Sequence, residues 1–189
     1  PGHAMAALAS YPWLGCLGEG YEVPSLWGVK EDVYCAGKDS TFVFLEDVLT
    51  EVTDLFPYGL VHIGGDECPK ARWKECPRCQ RRMRDEGLGS EEELQSYFVR
   101  RIERFLASRN RRMVGWDEIR QGGLSETAIV LSRKREQGLR SALENGNDVI
   151  MTPYLNCYFD YYQGSRETEP LAFGGFLPLR TAYDLDPFE

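Results

Sequence analysis

The stretch Leu60-Val61-His62-Ile63-Gly64-Gly65-Asp66-Glu67 decides the fold. Leu60 to Ile63 is a short apolar run with the length of a buried strand, and Gly64-Gly65 closes it. Adjacent residues on an extended strand point to opposite faces, so Asp66 and Glu67 share one pocket only if the backbone turns at the strand end. Gly64 and Gly65 permit such a turn, because glycine reaches backbone conformations closed to other residues. Taken by itself, an Asp-Glu pair beyond a strand is as a rule a solvated loop.

Outward from this strand, patterns of two periods alternate. Residues 4–11 read as a short helix ended by Pro12, and residues 12–40, rich in Gly, Pro and aromatics, as a long ordered loop of the kind that is usually functional. Phe44, Leu45, Val48, Leu49, Val52, Leu55 and Phe56 fall at helical spacing over 41–56. A helix is expected from about Pro69 to Glu86. Ser90 with Glu93 forms a capping-box signature that opens another, with Leu94, Phe98, Ile102 and Phe105 on one face. Arg112–Trp116, Ala128–Leu131 and Val149–Met151 read as further strands, and a helix at about 135–144 ends at Asn145-Gly146. Strands alternating with helices imply βαβ units and a parallel sheet. The alternation predicts an α/β fold with about four full strands, and the family resemblance set out below implies that these belong to an incomplete (β/α)8 TIM-type barrel. Polar residues gather after the strands at Asp66-Glu67, Asp117-Glu118, Ser132-Arg133 and Asp160, and barrels of this type carry their chemistry at the C-terminal strand ends.

Composition narrows the field. The 189 residues are 42% hydrophobic, enough for one substantial core, and a net charge of -8 argues against a nucleic-acid partner. No apolar run approaches the roughly 20 residues of a membrane span. No leader pattern is present, and the chain opens at Pro1 without an initiator Met, so its compartment is not readable. Six cysteines are too few for a disulfide scaffold, although Cys16 and Cys35 flank one loop and would be free to pair in an exported protein. Cys68, Cys76 and Cys79 lie close in sequence, with Cys76-Pro77-Arg78-Cys79 as a CxxC that suits zinc or thiol exchange. A zinc site needs a fourth ligand and no second CxxC exists, so the expectation is structural thiols, no metal and no cofactor.

His62-Ile63-Gly64-Gly65-Asp66-Glu67 resembles the signature of glycoside hydrolase family 20, the β-N-acetylhexosaminidases. Pro1-Gly2-His3 with Ala4, Ala7 and Tyr11-Pro12 resembles the end of that family's third barrel strand, and Gly115-Trp116-Asp117-Glu118-Ile119 its fifth. Cys157 to Gln163 resembles the region after strand seven, and Glu169-Pro170-Leu171-Ala172 with the Gly174–Pro178 stretch resembles the next segment of the family's chain. The resemblance spans essentially the whole chain, and linked motifs in family order are more specific than one hexapeptide.

The resemblance implies an enzyme that removes terminal β-linked N-acetylhexosamine, the substrate's own 2-acetamido oxygen serving as nucleophile. It implies Glu67 as general acid and base, Asp66 as acceptor of the acetamido N–H, and Tyr158 as donor to the acetamido oxygen. Trp116 would wall the pocket, Asp160 bind hydroxyls on the far side of the sugar, and His3 sit near Glu67. His62, Asp117 and Glu118 would support these groups through hydrogen bonds from behind. The implied partner is carbohydrate, in a periplasmic, secreted or lysosomal setting. Two departures stand out. Arg133 occupies the place of an expected pocket Trp, where a cation would stack or pair with a carboxylate. The first strands and the last strand are outside the chain, so a partial catalytic domain is expected over 1–189. A catalytically impaired fragment or non-catalytic sugar-binding homologue, and a CxxC metal or thiol module, are the alternatives.

Overall fold

The computed structural model describes residues 1–133 and 137–186. Its centre is a sheet of four parallel strands in the order β1 (Leu60–His62), β2 (Arg112–Trp116), β3 (Ile129–Ser132) and β4 (Asp148–Met151). Each strand pairs with its sequence neighbour, with His62 opposite Val114, Trp116 opposite Leu131 and Ser132 opposite Met151. This is the α/β, TIM-barrel type of sheet. Parallel pairing brings every C-terminal strand end to one edge, which is where the polar clusters lie.

Helices cover the sheet. α1 (Met5–Ser10) leads into a 3-10 turn at Pro12–Leu14, and α2 (Asp39–Leu55) follows the long loop. The helix expected over 69–86 is two helices, α3 (Ala71–Glu75) and α4 (Pro77–Glu86). The break falls at Cys76 because Pro77 lacks an N–H and biases the residue before it toward extended backbone, which Cys76 adopts at ψ 114. α5 (Glu91–Ser108) begins where the capping signature placed it: Ser90 Oγ accepts from Glu93 N, and Glu93 reaches back to Gly89 N. No α-helix links β2 to β3, only a 3-10 turn at Asp117–Arg120 and irregular chain. α6 (Gln137–Glu144) links β3 to β4, and the start of the expected 135–144 helix lies outside the described residues. α7 (Tyr154–Cys157) and α8 (Leu179–Tyr183) follow β4.

The core lies between the sheet and α2, α3, α4 and α5. Phe42 and Phe98 meet with ring centroids 4.8 Å apart, and Trp73, Leu94, Leu106, Met113 and Ile119 are fully enclosed. Trp73 is buried at no hydrogen-bonding cost, since its Nε1 donates to Tyr34 O at 2.9 Å. Of the apolar residues expected on α2, Leu45 and Leu49 face this core, whereas Val48, Leu55 and Phe56 are exposed. The six cysteines are free thiols, so Cys16 and Cys35 are not bonded to each other. Among the described residues no helix is long and apolar enough to cross a membrane.

Candidate active site

The site grows from the end of β1. Gly64 and Gly65 take φ of 71° and 94°, and Glu67 follows at 47°, a left-handed value unusual for a side-chain-bearing residue. The turn is tightly seated, because a Cβ on Gly65 would stand 2.3 Å from Ile119 Cγ2. It is also tied to β2: Ile63 N donates to Val114 O, and Trp116 N donates to Gly64 O, both at 2.9 Å. The consequence is convergence. His3 Nε2 lies 3.2 Å from Glu67 Oε2 and 3.7 Å from Asp66 Oδ2, so two sequence neighbours present their carboxylates to one nitrogen. His3 itself has φ 53° and belongs to a segment in which Gly2 lies directly on the carbonyls of Asp66 and Glu67.

Behind the carboxylates, His62 Nδ1 accepts from Gly64 N at 3.0 Å, which fixes the hinge. That bond requires the unprotonated nitrogen. Burial lowers the His62 pKa below its usual range, while the nearby Asp66 charge opposes the shift. The ring meets Trp116 edge-on at 5.1 Å.

Arg133, at the end of β3, joins the remaining groups. Its guanidinium stacks over Trp116 at 5.2 Å, pairs with Glu118, and approaches Asp66 Oδ2 at 3.6 Å. Its backbone N–H donates to Asp117 Oδ2 at 2.6 Å. Burial disfavours its charge, but hydrogen bonding with Tyr158 and the charges of Glu118 and Asp66 hold it protonated. Asp117 and Glu118 thus brace Arg133, which in turn braces Asp66. Each keeps one buried oxygen, Asp117 Oδ1 and Glu118 Oε2, without a hydrogen-bond partner among the described residues.

The structure therefore brings together His3, His62, Asp66, Glu67, Trp116, Asp117, Glu118 and, through Arg133, Tyr158. Asp160 stands apart from them. It lines a cleft of about 690 Å³ with Trp27, Tyr161, Glu169 and Phe173. An aromatic path joins the two regions: Tyr158 to Tyr161 at 5.7 Å, Tyr161 to Phe173 at 6.3 Å, and Phe173 to Trp27 at 5.8 Å. The sequence did not place Trp27 or Phe173 beside Asp160; for Trp27 the Gly- and aromatic-rich composition of the 12–40 loop was the available signal. His3, Asp66 and Glu67 also bring three ligand-type atoms within 4.8 Å of one another, in a partly exposed setting that suits a hydrogen-bonded acid pair equally well.

Known proteins resemble this chain in sequence and fold. Residues 1–189 match the glycosyl hydrolase family 20 catalytic domain. A β-hexosaminidase of Porphyromonas gingivalis is 53% identical over 99% of this chain and 24% of its own length, and one of Vibrio furnissii is 35% identical over 99% and 31%. The crystal structure of a β-N-acetylhexosaminidase from Bacteroides fragilis superposes with a TM-score of 0.85 at 30% identity, covering 99% of this chain and 37% of that one. A family 20 exo-β-N-acetylglucosaminidase from Vibrio harveyi, solved with N-acetylglucosamine, gives 0.82 at 30% identity, covering 100% and 30%. The chain thus spans between about a quarter and two fifths of the length of these relatives. Because the family model matches all of residues 1–189, the chain belongs to the catalytic domain of glycosyl hydrolase family 20.

Proposed function

We propose that this chain carries the catalytic carboxylates of a β-N-acetylhexosaminidase that uses the substrate's 2-acetamido group as nucleophile. The observation that carries the reading is the convergence of Asp66 and Glu67 on His3, at 3.7 and 3.2 Å, across the Gly64-Gly65 hinge. The Vibrio harveyi relative binds N-acetylglucosamine, which supports the substrate class.

In the first step the acetamido oxygen attacks the anomeric carbon as the glycosidic bond breaks. Glu67 gives its proton to the departing oxygen, leaving a carboxylate and a cyclic oxazolinium. In the second step water attacks the same carbon, Glu67 takes the water's proton, and the ring reopens with retained configuration. Holding the amide beneath the anomeric carbon makes the attack intramolecular, worth effective molarities on the order of 10⁵–10⁸ M. Asp66 accepts from the amide N–H and offsets the positive charge that develops there, and Tyr158 donates to the amide oxygen. Trp116 supplies the apolar wall. Arg133 keeps that wall rigid by stacking on it, and limits the rotation of Asp66. Asp160, in the adjoining aromatic cleft, takes the outlying hydroxyls.

We also read residues 1–189 as one partial barrel domain, lacking the first strands and the last, whose sheet is completed by other segments of a longer chain. The exposed Leu55 and Phe56 at the end of α2, Leu60 on β1 and Ile150 on β4 support that reading. The test uses the full-length chain with matched chromogenic β-N-acetylglucosaminide and β-glucoside. The acetamido substrate should be hydrolysed with retention and the glucoside left nearly untouched; comparable hydrolysis of both would remove the substrate nucleophile.

A further inference from the structure

The CxxC, left with three thiols and no metal on sequence alone, gains different partners in the fold. Cys68 is not among them: its Sγ donates to Pro69 O at 3.9 Å. Cys16 and Cys35 arrive instead from the long loop. The sulfurs of Cys16, Cys35, Cys76 and Cys79 all lie within 4.8 Å of one another. The Cys35–Cys79 separation is 3.6 Å, and Cys35–Cys76 and Cys16–Cys79 are each 3.8 Å. A tetrahedral zinc ion with sulfurs at about 2.3 Å sets those sulfurs about 3.8 Å apart. Disulfide bonding needs about 2.05 Å, so these are four thiols around a common centre and not two bridges.

The surroundings are built to hold this arrangement. An antiparallel bridge between Gly15 and Tyr34 sets Cys16 and Cys35 side by side, reinforced by Cys35 N donating to Leu14 O at 2.9 Å. Cys76 caps α4 and Cys79 lies in its first turn. Gly37 lets the loop press onto the CxxC, since a Cβ there would stand 2.3 Å from Arg78 C and 2.5 Å from Cys79 N. Cys35 and Cys79 are fully buried and Cys76 is 4% exposed, whereas Cys16 keeps some solvent contact, leaving a way in.

We propose that Cys16, Cys35, Cys76 and Cys79 form a structural zinc site that clamps the 12–38 loop onto the start of α4. Four thiolates with no open position match a structural rather than a catalytic ion. The ion binds as the thiols release their protons, so affinity weakens as the pH is lowered. Cys76 lies nine residues beyond Glu67 in sequence, so the clamp anchors the chain that leaves the acid pair.

The experiment measures metal in the full-length protein purified without a metal-affinity step, by mass spectrometry of the elements. About one zinc per chain is expected, released on titration with an organomercurial and registered by a zinc dye. Cobalt grown or exchanged into the site should show the visible bands of tetrahedral cobalt thiolate, a readout independent of activity. Cys79→Ser should lose the ion and Cys68→Ser keep it; because Cys79→Ser risks misfolding, the unmodified protein's metal content and cobalt spectrum decide the matter. Less than a tenth of an equivalent of zinc after growth in zinc-supplemented medium, disulfides among these four residues on peptide mapping, or zinc retained in a folded Cys79→Ser protein would each overturn the assignment.

Discussion

His3 Nε2 stands 3.2 Å from Glu67 Oε2, and both residues hold left-handed backbone, at φ 53° and 47°. Of the three non-glycine residues with positive φ among those described, two are thus partners in one contact. Such conformations cost of order 1–3 kcal/mol and persist where the surrounding structure compels them. Here the compulsion is the hinge, which aims the Glu67 carboxylate at the space Asp66 also faces.

That strain separates stability from activity. Replacing Glu67 with glycine removes the steric penalty while deleting the acid. Glu67→Gly in the full-length protein should therefore unfold no more easily than wild type in a thermal melt, or up to about 1 kcal/mol less easily, and have no measurable turnover. A clear loss of stability would mean the backbone at 67 is unstrained.

Gly64 and Gly65 should respond differently to alanine. Both need positive φ, but only at Gly65 would the new methyl meet a packed side chain, at 2.3 Å from Ile119, whereas at Gly64 the nearest atom is 3.7 Å away. Gly65→Ala should cost roughly 1–3 kcal/mol more stability than Gly64→Ala, from overpacking added to backbone strain. Chemical denaturation of the two variants measures the difference, and equal costs would show that the Ile119 contact yields easily.

His62 makes the hinge sensitive to acid. Its folded-state pKa lies below the ordinary 6.5, so the unfolded chain binds the proton more readily. Its contribution is complete above about pH 6.5 and is lost as the pH falls through the window beneath. The melting temperature of wild type should therefore fall more steeply between about pH 7 and about pH 5 than that of His62→Phe, which keeps a ring against Trp116 but does not titrate. Parallel curves would remove His62 from the pH response.

Arg133 tests how the wall and Asp66 are held. Lysine would keep the charge but lose the planar fork that reaches Asp66, Glu118 and the Trp116 face together. Arg133→Lys should lower kcat/KM at least about tenfold, consistent with roughly 1.5–3 kcal/mol for hydrogen bonds to charged groups. Unchanged kinetics would make Arg133 a bystander.

Much of the fold and the acid pair was legible in local sequence. The apolar run 60–63 and the glycine pair announced a strand and a turn, because each is set by residues adjacent in the chain, whereas the two acids alone read as a solvated loop and gained a role only through the family resemblance. The break before Pro77 was missed, because helical spacing on either side of it reads as one helix over 69–86. Arg133 was readable as a cation that stacks or pairs; that it does both at once depends on β2 and β3 lying side by side. What stayed hidden depends on distant segments meeting. Cys16 and Cys35 reach the CxxC across 63 and 44 residues, with no local pattern to mark them as partners. Asp160 follows α7 into an aromatic cleft because Phe173 and Trp27 gather there, a matter of loop packing with no periodicity to read.

The most direct test of the two-acid account is the leaving-group dependence of Asp66→Asn and Glu67→Gln in the full-length enzyme, on aryl N-acetylglucosaminides of graded leaving-group basicity. If Glu67 protonates the departing oxygen, its variant's rate defect should grow as the leaving group becomes more basic, reaching about 10²–10⁴-fold. If Asp66 steers the amide, its variant should be slowed by a large and nearly constant factor across the series. Near-normal rates in both variants, or a leaving-group trend in Asp66→Asn and none in Glu67→Gln, would contradict the roles drawn from their convergence.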